Sequence, residues 1–224
     1  MIAKEHTNNR SNKPILTGAE NTTLKEILKY MSSAVIPFKK AYSQPNLCHP
    51  LNENQTTQIF VEQIEVQIKP IESIGVKNQY SDVFLGTKGI PDFYFHKVEE
   101  GITHFPLFVV EAKRLPAPDK RREKEYVVGN KENGGIKRYK IEKHGKGLSA
   151  CGMIGFVEKE NFHYWQTTIN KWIVELANTT DFWESDEMLI AIDNEEHQDY
   201  IILNSIVHRI ASENVFLYHL WINI

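Results

Sequence analysis

Three side chains near the middle of the chain, Asp92, Glu111 and Lys113, have the types and spacing to do hydrolytic chemistry. Two carboxylates at neighbouring positions hold a hard divalent cation through oxygen, and an ammonium beside them offsets negative charge or orients a water. The chain must bring the three together, and the flanking sequence supplies the means. Leu107 to Val110 is a short apolar run between Pro106 and Pro116 and reads as a strand. Side chains alternate along a strand, so Glu111 and Lys113 share a face while Ala112 turns into the packing. Ile90 to His96, rich in Phe and Tyr, reads as a second strand. Paired as neighbours, the two strands set Asp92 beside Glu111 and Lys113. The competing reading is an Asp at a strand start and a Glu-Lys pair on a solvated face. A run as apolar as Leu107 to Val110 belongs instead in the centre of a sheet, where terminal charges seldom occur without a use.

Pro91-Asp92 followed by Glu111-Ala112-Lys113 resembles the motif of the PD-(D/E)XK nuclease superfamily. The resemblance implies a restriction-endonuclease-like fold, α/β with a central mixed β-sheet flanked by helices. It also implies that Asp92 and Glu111, with the Ala112 carbonyl, bind Mg2+ (Mn2+ serving as a substitute). Lys113 then positions or activates the attacking water, and cut strands carry 5′-phosphates. Many members bear a further acidic residue on the helix before the core strands. Glu53 is the best match here: on a helix from Glu53 to Ile68 it falls on the arc of Phe60, Val61, Ile64 and Ile68, while Glu62 and Glu65 fall off it. An acidic residue in a first helical turn is also favoured by the helix dipole alone.

The chain of 224 residues is long enough for one sizeable core, and 41% hydrophobic with 25% charged residues is ordinary for a soluble globular protein. Cys48 and Cys151 lie far apart without metal-ligand spacing, which argues against structural zinc and for a reduced, cytoplasmic compartment. The polar N-terminus lacks the apolar core of a secretory signal, and no stretch reaches the length of a membrane span. From Glu111 to Gly147 there are 12 Lys/Arg against 6 Asp/Glu, whereas the remainder carries 14 against 23. This basic block begins at the carboxylate motif, where a phosphate backbone would be drawn. Lys88, Arg114, Lys137 and Arg138 are the candidate nucleic-acid contacts; a solvated mixed-charge surface is the plain alternative.

The elements that must position these groups follow in order. Residues 1–20 read as a flexible N-terminal segment, and 21–224 as a single domain with its core at about 53–157 and a C-terminal helix and strands in 158–224. Thr22 or Thr23 caps a helix running to about Lys40. Glu53 to Ile68 forms a second helix. Tyr80 to Leu85 reads as the first core strand, turning at Gly86 to Gly89 into Ile90. After Pro116 the chain is charged through Tyr126. A helix from Ile136 to Lys143 follows, its N-terminus with Asn133 and the glycines open to a phosphate, and Tyr139 facing substrate or solvent. His144 is a possible proton shuttle, though a lone histidine by a glycine turn is more often incidental. Cys151 to Val157 reads as a buried strand whose glycines pack closely against a helix, with Cys151 a core residue. Asn161 to Ala177 is an amphipathic helix, and Met188 to Ile192 and Val215 to Ile224 are further strands.

The expected function is a Mg2+-dependent nuclease acting on nucleic acid, DNA rather than RNA. By analogy it is a restriction or anti-phage defence effector, working as a homodimer or with a partner protein that supplies specificity. The alternatives are a catalytically inactive nuclease-fold binding or assembly subunit, and an unrelated glycosidase using Asp92 and Glu111 as its carboxylate pair. The last explains neither Lys113 nor the basic block.

Overall fold

The computed structural model describes Pro14, residues 16–129 and residues 134–224. A seven-stranded mixed sheet, β1 (Ile74–Asn78), β2 (Phe93–Lys97), β3 (Phe108–Leu115), β4 (Ala150–Val157), β5 (Ile190–Glu196), β6 (Tyr200–Val207) and β7 (Val215–Asn223), runs in the spatial order β1-β2-β3-β4-β7-β6-β5. The central pairs β3–β4 and β4–β7 are parallel and the outer pairs antiparallel. Every residue of β4 is buried, as expected of a parallel strand covered on both faces. The molecule is therefore α/β, with helices on both sides of a mixed sheet.

On one face α1 (Gly18–Ser33), α2 (Val35–Tyr42) and α3 (Glu53–Ile68) lay Ile27, Phe38, Phe60 and Ile64 onto Phe93, Phe108, Val110 and Phe156. Each such side chain contributes about 1.5–3 kcal/mol by leaving water. On the other face α4 (Gly135–Lys140) and α5 (Phe162–Ala177) bring Ile136, Tyr139, Trp165, Ile169 and Trp172 onto Val109, Met153, Leu217 and Trp221. Gly152 and Gly155 admit side chains of the flanking strands rather than a helix: a Cβ at Gly152 would lie 2.6 Å from Phe108, and one at Gly155 2.4 Å from Trp221.

Several elements differ from the sequence expectations. The first helix starts at Gly18, where Thr17 and Glu20 form a capping box, and Ala34 divides α1 from α2. Residues 18–20 of the expected flexible segment are helical and Thr17 caps them; residues 1–13 and 15 lie outside the described residues, as does Asn133. The first strand is β1, not Tyr80 to Leu85. In that segment the Asp82 carboxylate accepts the amides of Phe84 (2.9 Å), Leu85 (2.8 Å) and Thr87 (3.1 Å), so these N–H groups serve a local loop instead of a ladder. The strand β6 was not expected at all, and β7 lies beside β4, so the core extends well beyond Val157.

Between the β6–β7 pair and the helical layer runs a buried polar chain. Trp221 Nε1 donates to Tyr126 Oη (2.8 Å), Tyr126 Oη lies 2.9 Å from His219 Nδ1, and His219 Nε2 lies 3.1 Å from Ser205 Oγ. Burial pushes the His219 imidazole down to about 3. Its folded value lies below that of the unfolded chain, so the unfolded state takes up the proton first and stability is lost as pH falls below about 6.5. Urea denaturation at pH 7 and pH 4.5 is expected to show a loss larger by about 2–3 kcal/mol in wild type than in His219→Gln. Equal losses would contradict a neutral, buried His219.

Candidate active site

The site grows out of a gap in the sheet. The strand β2 pairs with β3 only from Phe93↔Val110 to Phe95↔Phe108, so β3 runs on from Glu111 to Leu115 without a neighbouring strand on that side among the described residues. The ladder amides that β2 leaves free are taken by carboxylates: Ala112 N–H donates to Asp92 Oδ2 (2.7 Å) and Arg114 N–H to Glu53 Oε2 (3.2 Å). Buried amides need acceptors, and this need draws the two acids to one edge. Asp92 precedes β2 directly. Glu53 is the first residue of α3, fixed by a capping box of Asn52 and Gln55.

On the strand face toward α4, Lys113 Nζ lies 2.9 Å from Glu53 Oε1, 2.9 Å from Glu111 Oε1 and 2.7 Å from the Ala112 carbonyl. Glu111 also receives Arg138 from α4 at 2.5 Å. Its Oε2 has no hydrogen-bond partner among the described residues; His144 Nδ1 stands 3.5 Å away. Five groups predicted from sequence (Glu53, Asp92, Glu111, Ala112 and Lys113) are thus assembled in one place. Asp92 keeps part of its surface in a cleft of about 250 Å³ lined also by Asn54, Thr57, Gln58, Asn78 and Gln79.

The electrostatics follow from burial and proximity. Burial, with the adjacent Glu111 carboxylate, raises Asp92 to about 7 against the pull of Lys113, the Ala112 amide and Arg138. Burial alone would lower Lys113, but Glu111, Glu53 and Asp92 hold it above its ordinary value, so it stays charged. Burial, then Arg138 and Lys113, push His144 down to about 3. It is neutral at physiological pH and poorly suited to take up a proton.

The expected nucleic-acid contacts are scattered. Arg138 serves Glu111, and Arg114 binds Glu158 through two guanidinium nitrogens. Lys137 is half-buried on α4, and Lys88 is exposed on the loop before Asp92. Tyr139 is fully buried and donates to the Gly152 carbonyl at 2.7 Å, so it faces neither substrate nor solvent. Much of the basic block is internally matched, with Arg121 on Asp119, Arg122 on Glu125, Lys124 on Glu175 and Lys140 on Glu187. Cys151 is buried, its thiol pushed up to about 12 by burial, and is a core residue as expected. Arg138 and His144 lie 27 and 33 residues beyond Glu111 with no local pattern linking them to it, so sequence reasoning did not place them in the cluster.

Two features of the cluster fit a divalent cation held by Asp92 and Glu111. A buried carboxylate oxygen of Glu111 has no hydrogen-bond partner among the described residues, and the mutual repulsion of the two acids would be relieved by positive charge. The Ala112 carbonyl is already engaged by Lys113. Among the described residues, a group with three His or carboxylate ligand atoms within 4.8 Å of one another occurs elsewhere, at Glu184, Asp186 and His208. The carboxylates of that group already act on the buried Lys140 ammonium. No helix among the described residues is long and apolar enough to cross a membrane.

Comparison of the chain with protein families, with curated proteins and with solved structures gave no match in any of the three.

Proposed function

We propose that this chain is a metal-dependent nuclease of restriction-endonuclease-like architecture, acting on DNA in preference to RNA. The observation that carries the reading is the open edge of β3, where Glu53 and Glu111 meet Lys113 and Asp92 accepts the Ala112 amide beside them. Asp92 and Glu111 would hold Mg2+. Such an ion, when bound, neutralises a scissile phosphate and makes a bound water more acidic. Lys113 is a fixed positive charge and not a base, because three carboxylates keep its proton in place. Its part is to offset charge gathering on the phosphoryl oxygens and to orient the attacking water. Glu53 positions Lys113 by accepting from its ammonium, and Arg138 holds Glu111 in its rotamer.

The test is cleavage of plasmid, linear and single-stranded DNA and of RNA by wild type and Asp92→Ala, in Mg2+, in Mn2+ and in EDTA. Cutting by wild type in either metal, absent in EDTA and reduced by about 10³-fold or more in the variant, is the expected result. Cutting that persists in EDTA would overturn the metal dependence, and wild-type cutting by Asp92→Ala would remove the site. A second reading, an inactive binding subunit on the same scaffold, draws on the engagement of Glu111 Oε1 by Lys113 and Arg138 and of the Ala112 carbonyl by Lys113. It predicts nucleic-acid binding without cutting in any metal.

A further inference from the structure

The loop that was expected to be a strand leaves a row of large apolar side chains in water. Val83 is 71% exposed, Ile90 54%, and Phe84 and Leu85 44% each. Such a patch is unusual on a short loop and marks a contact surface. The loop is also held in shape. Asp82 accepts the amides of Phe84, Leu85 and Thr87 and the Thr87 hydroxyl (2.8 Å), Phe84 packs edge-on against Phe105 with ring centroids 5.6 Å apart, and Leu85 lies over Gly147. Its distal end is tied to the candidate active site. Gly89 sits so close to the Lys143 carbonyl and the His144 ring that a Cβ there would fall 2.0 and 2.6 Å from them, and His144 faces Glu111. Pro91 and Asp92 follow at once. Lys88, Lys143 and Lys146 are exposed on this loop and on the segment it packs against.

We propose that Val83, Phe84 and Leu85 form an apolar wedge that enters the base stack of duplex DNA beside the cleaved bond, with Lys88, Lys143 and Lys146 on the flanking phosphates. The proposal rests on the nuclease reading of the adjacent cluster. Apolar wedges are inserted between base steps by proteins that kink or unstack DNA, and lysines around them match the phosphate charge. The chemistry favours this occupant over a second protein surface, because a protein partner of an apolar patch does not call for a surround of cations. A rigid loop suits the task, since the cost of unstacking is not increased by ordering the wedge.

The experiment uses the full chain and a short duplex with 2-aminopurine placed at successive positions, in Ca2+ to limit cutting. Binding is read by anisotropy and unstacking by 2-aminopurine fluorescence. Wild type is expected to raise the fluorescence several-fold at one position. Phe84→Ser/Leu85→Ser is expected to remove that rise and to bind about 10-fold more weakly. Both side chains are partly exposed and Asp82 is untouched, so an unchanged melting midpoint would certify the fold of the variant. Bound duplex without any fluorescence rise, with Mg2+-dependent cutting intact, overturns the wedge and leaves the nuclease standing. Neither binding nor cutting by wild type overturns both. A variant that unstacks DNA as wild type does but changes from dimer to monomer assigns the loop to contact between copies and overturns the proposal.

Discussion

Lys113→Met is expected to cut DNA about 10²–10³-fold more slowly than wild type, and to be less stable than wild type when divalent cation is absent. The side chain is 6% exposed and its Nζ contacts two carboxylates and a carbonyl, so methionine preserves volume while removing the charge that these acceptors share. Glu111 retains Arg138, and Glu53 retains the Arg114 amide, so the fold does not lose every partner at once. Breaking one side of a buried ion pair costs about 3–5 kcal/mol, and the partial exposure of Glu53 places this case toward the low end. Because Asp92 and Glu111 are left with more uncompensated charge, added Mg2+ should raise the melting midpoint of the variant more than that of wild type. Cutting at wild-type rates would remove Lys113 from the mechanism. A midpoint insensitive to Mg2+ in both proteins would remove the cation from this cluster.

Glu187→Ala is expected to destabilise the protein by about 3–5 kcal/mol, and adding Lys140→Met to it is expected to restore part of the loss. Lys140 and Glu187 are almost wholly buried and paired, with Lys140 Nζ also donating to the His208 carbonyl (2.8 Å) and Glu187 Oε1 accepting the His208 amide (2.7 Å). Trp183 lies 5.0 Å from the ammonium. Burial lowers Lys140 and raises Glu187, each against the attraction of the other, so neither charge is comfortable there. Removing the acid alone strands an ammonium out of water. Removing both charges leaves only the His208 backbone groups short of partners, which costs less. Thermal or urea denaturation of the two single variants and the double variant measures the coupling directly. A double variant weaker than either single one would show that the pair itself, and not the penalty for breaking it, stabilises the fold.

The parts of the site legible in the sequence were those with local signals. Pro106 and Pro116 bracket β3, the two-residue period puts Glu111 and Lys113 on one face, and helical spacing turned Glu53 toward the core. Asn52 at the helix start then fixes where Glu53 stands. What was not legible depended on distant partners or on competing local bonds. Tyr80 to Leu85 has the composition of a strand, but a single carboxylate at Asp82 captures its amides. The strand β6, Tyr200 to Val207, is a nearly continuous apolar run, and such a run carries no period by which to tell strand from helix. The strand β1 is a five-residue edge element with two exposed polar residues at its end, too short to stand out. The basic block looked like one surface, yet Arg114, Arg122, Lys124, Arg138 and Lys140 each meet an acid, several of them from other parts of the chain.

The order of the strands has a consequence for the protein as it is made. The strand β7 occupies the slot between β4 and β6, and Leu217, Leu220, Trp221 and Ile222 reach into both faces of the core. A nascent chain that has emerged only as far as β6 holds β4 with one edge open and β6 with no parallel group to join. Both would be sticky surfaces in a crowded cell. The sheet can close only when residues 215–223 have left the ribosome. Until then Glu111 and Lys113, on the strand next to β4, rest on a core that has yet to be sealed, so the candidate site would stay unfinished in a half-made chain.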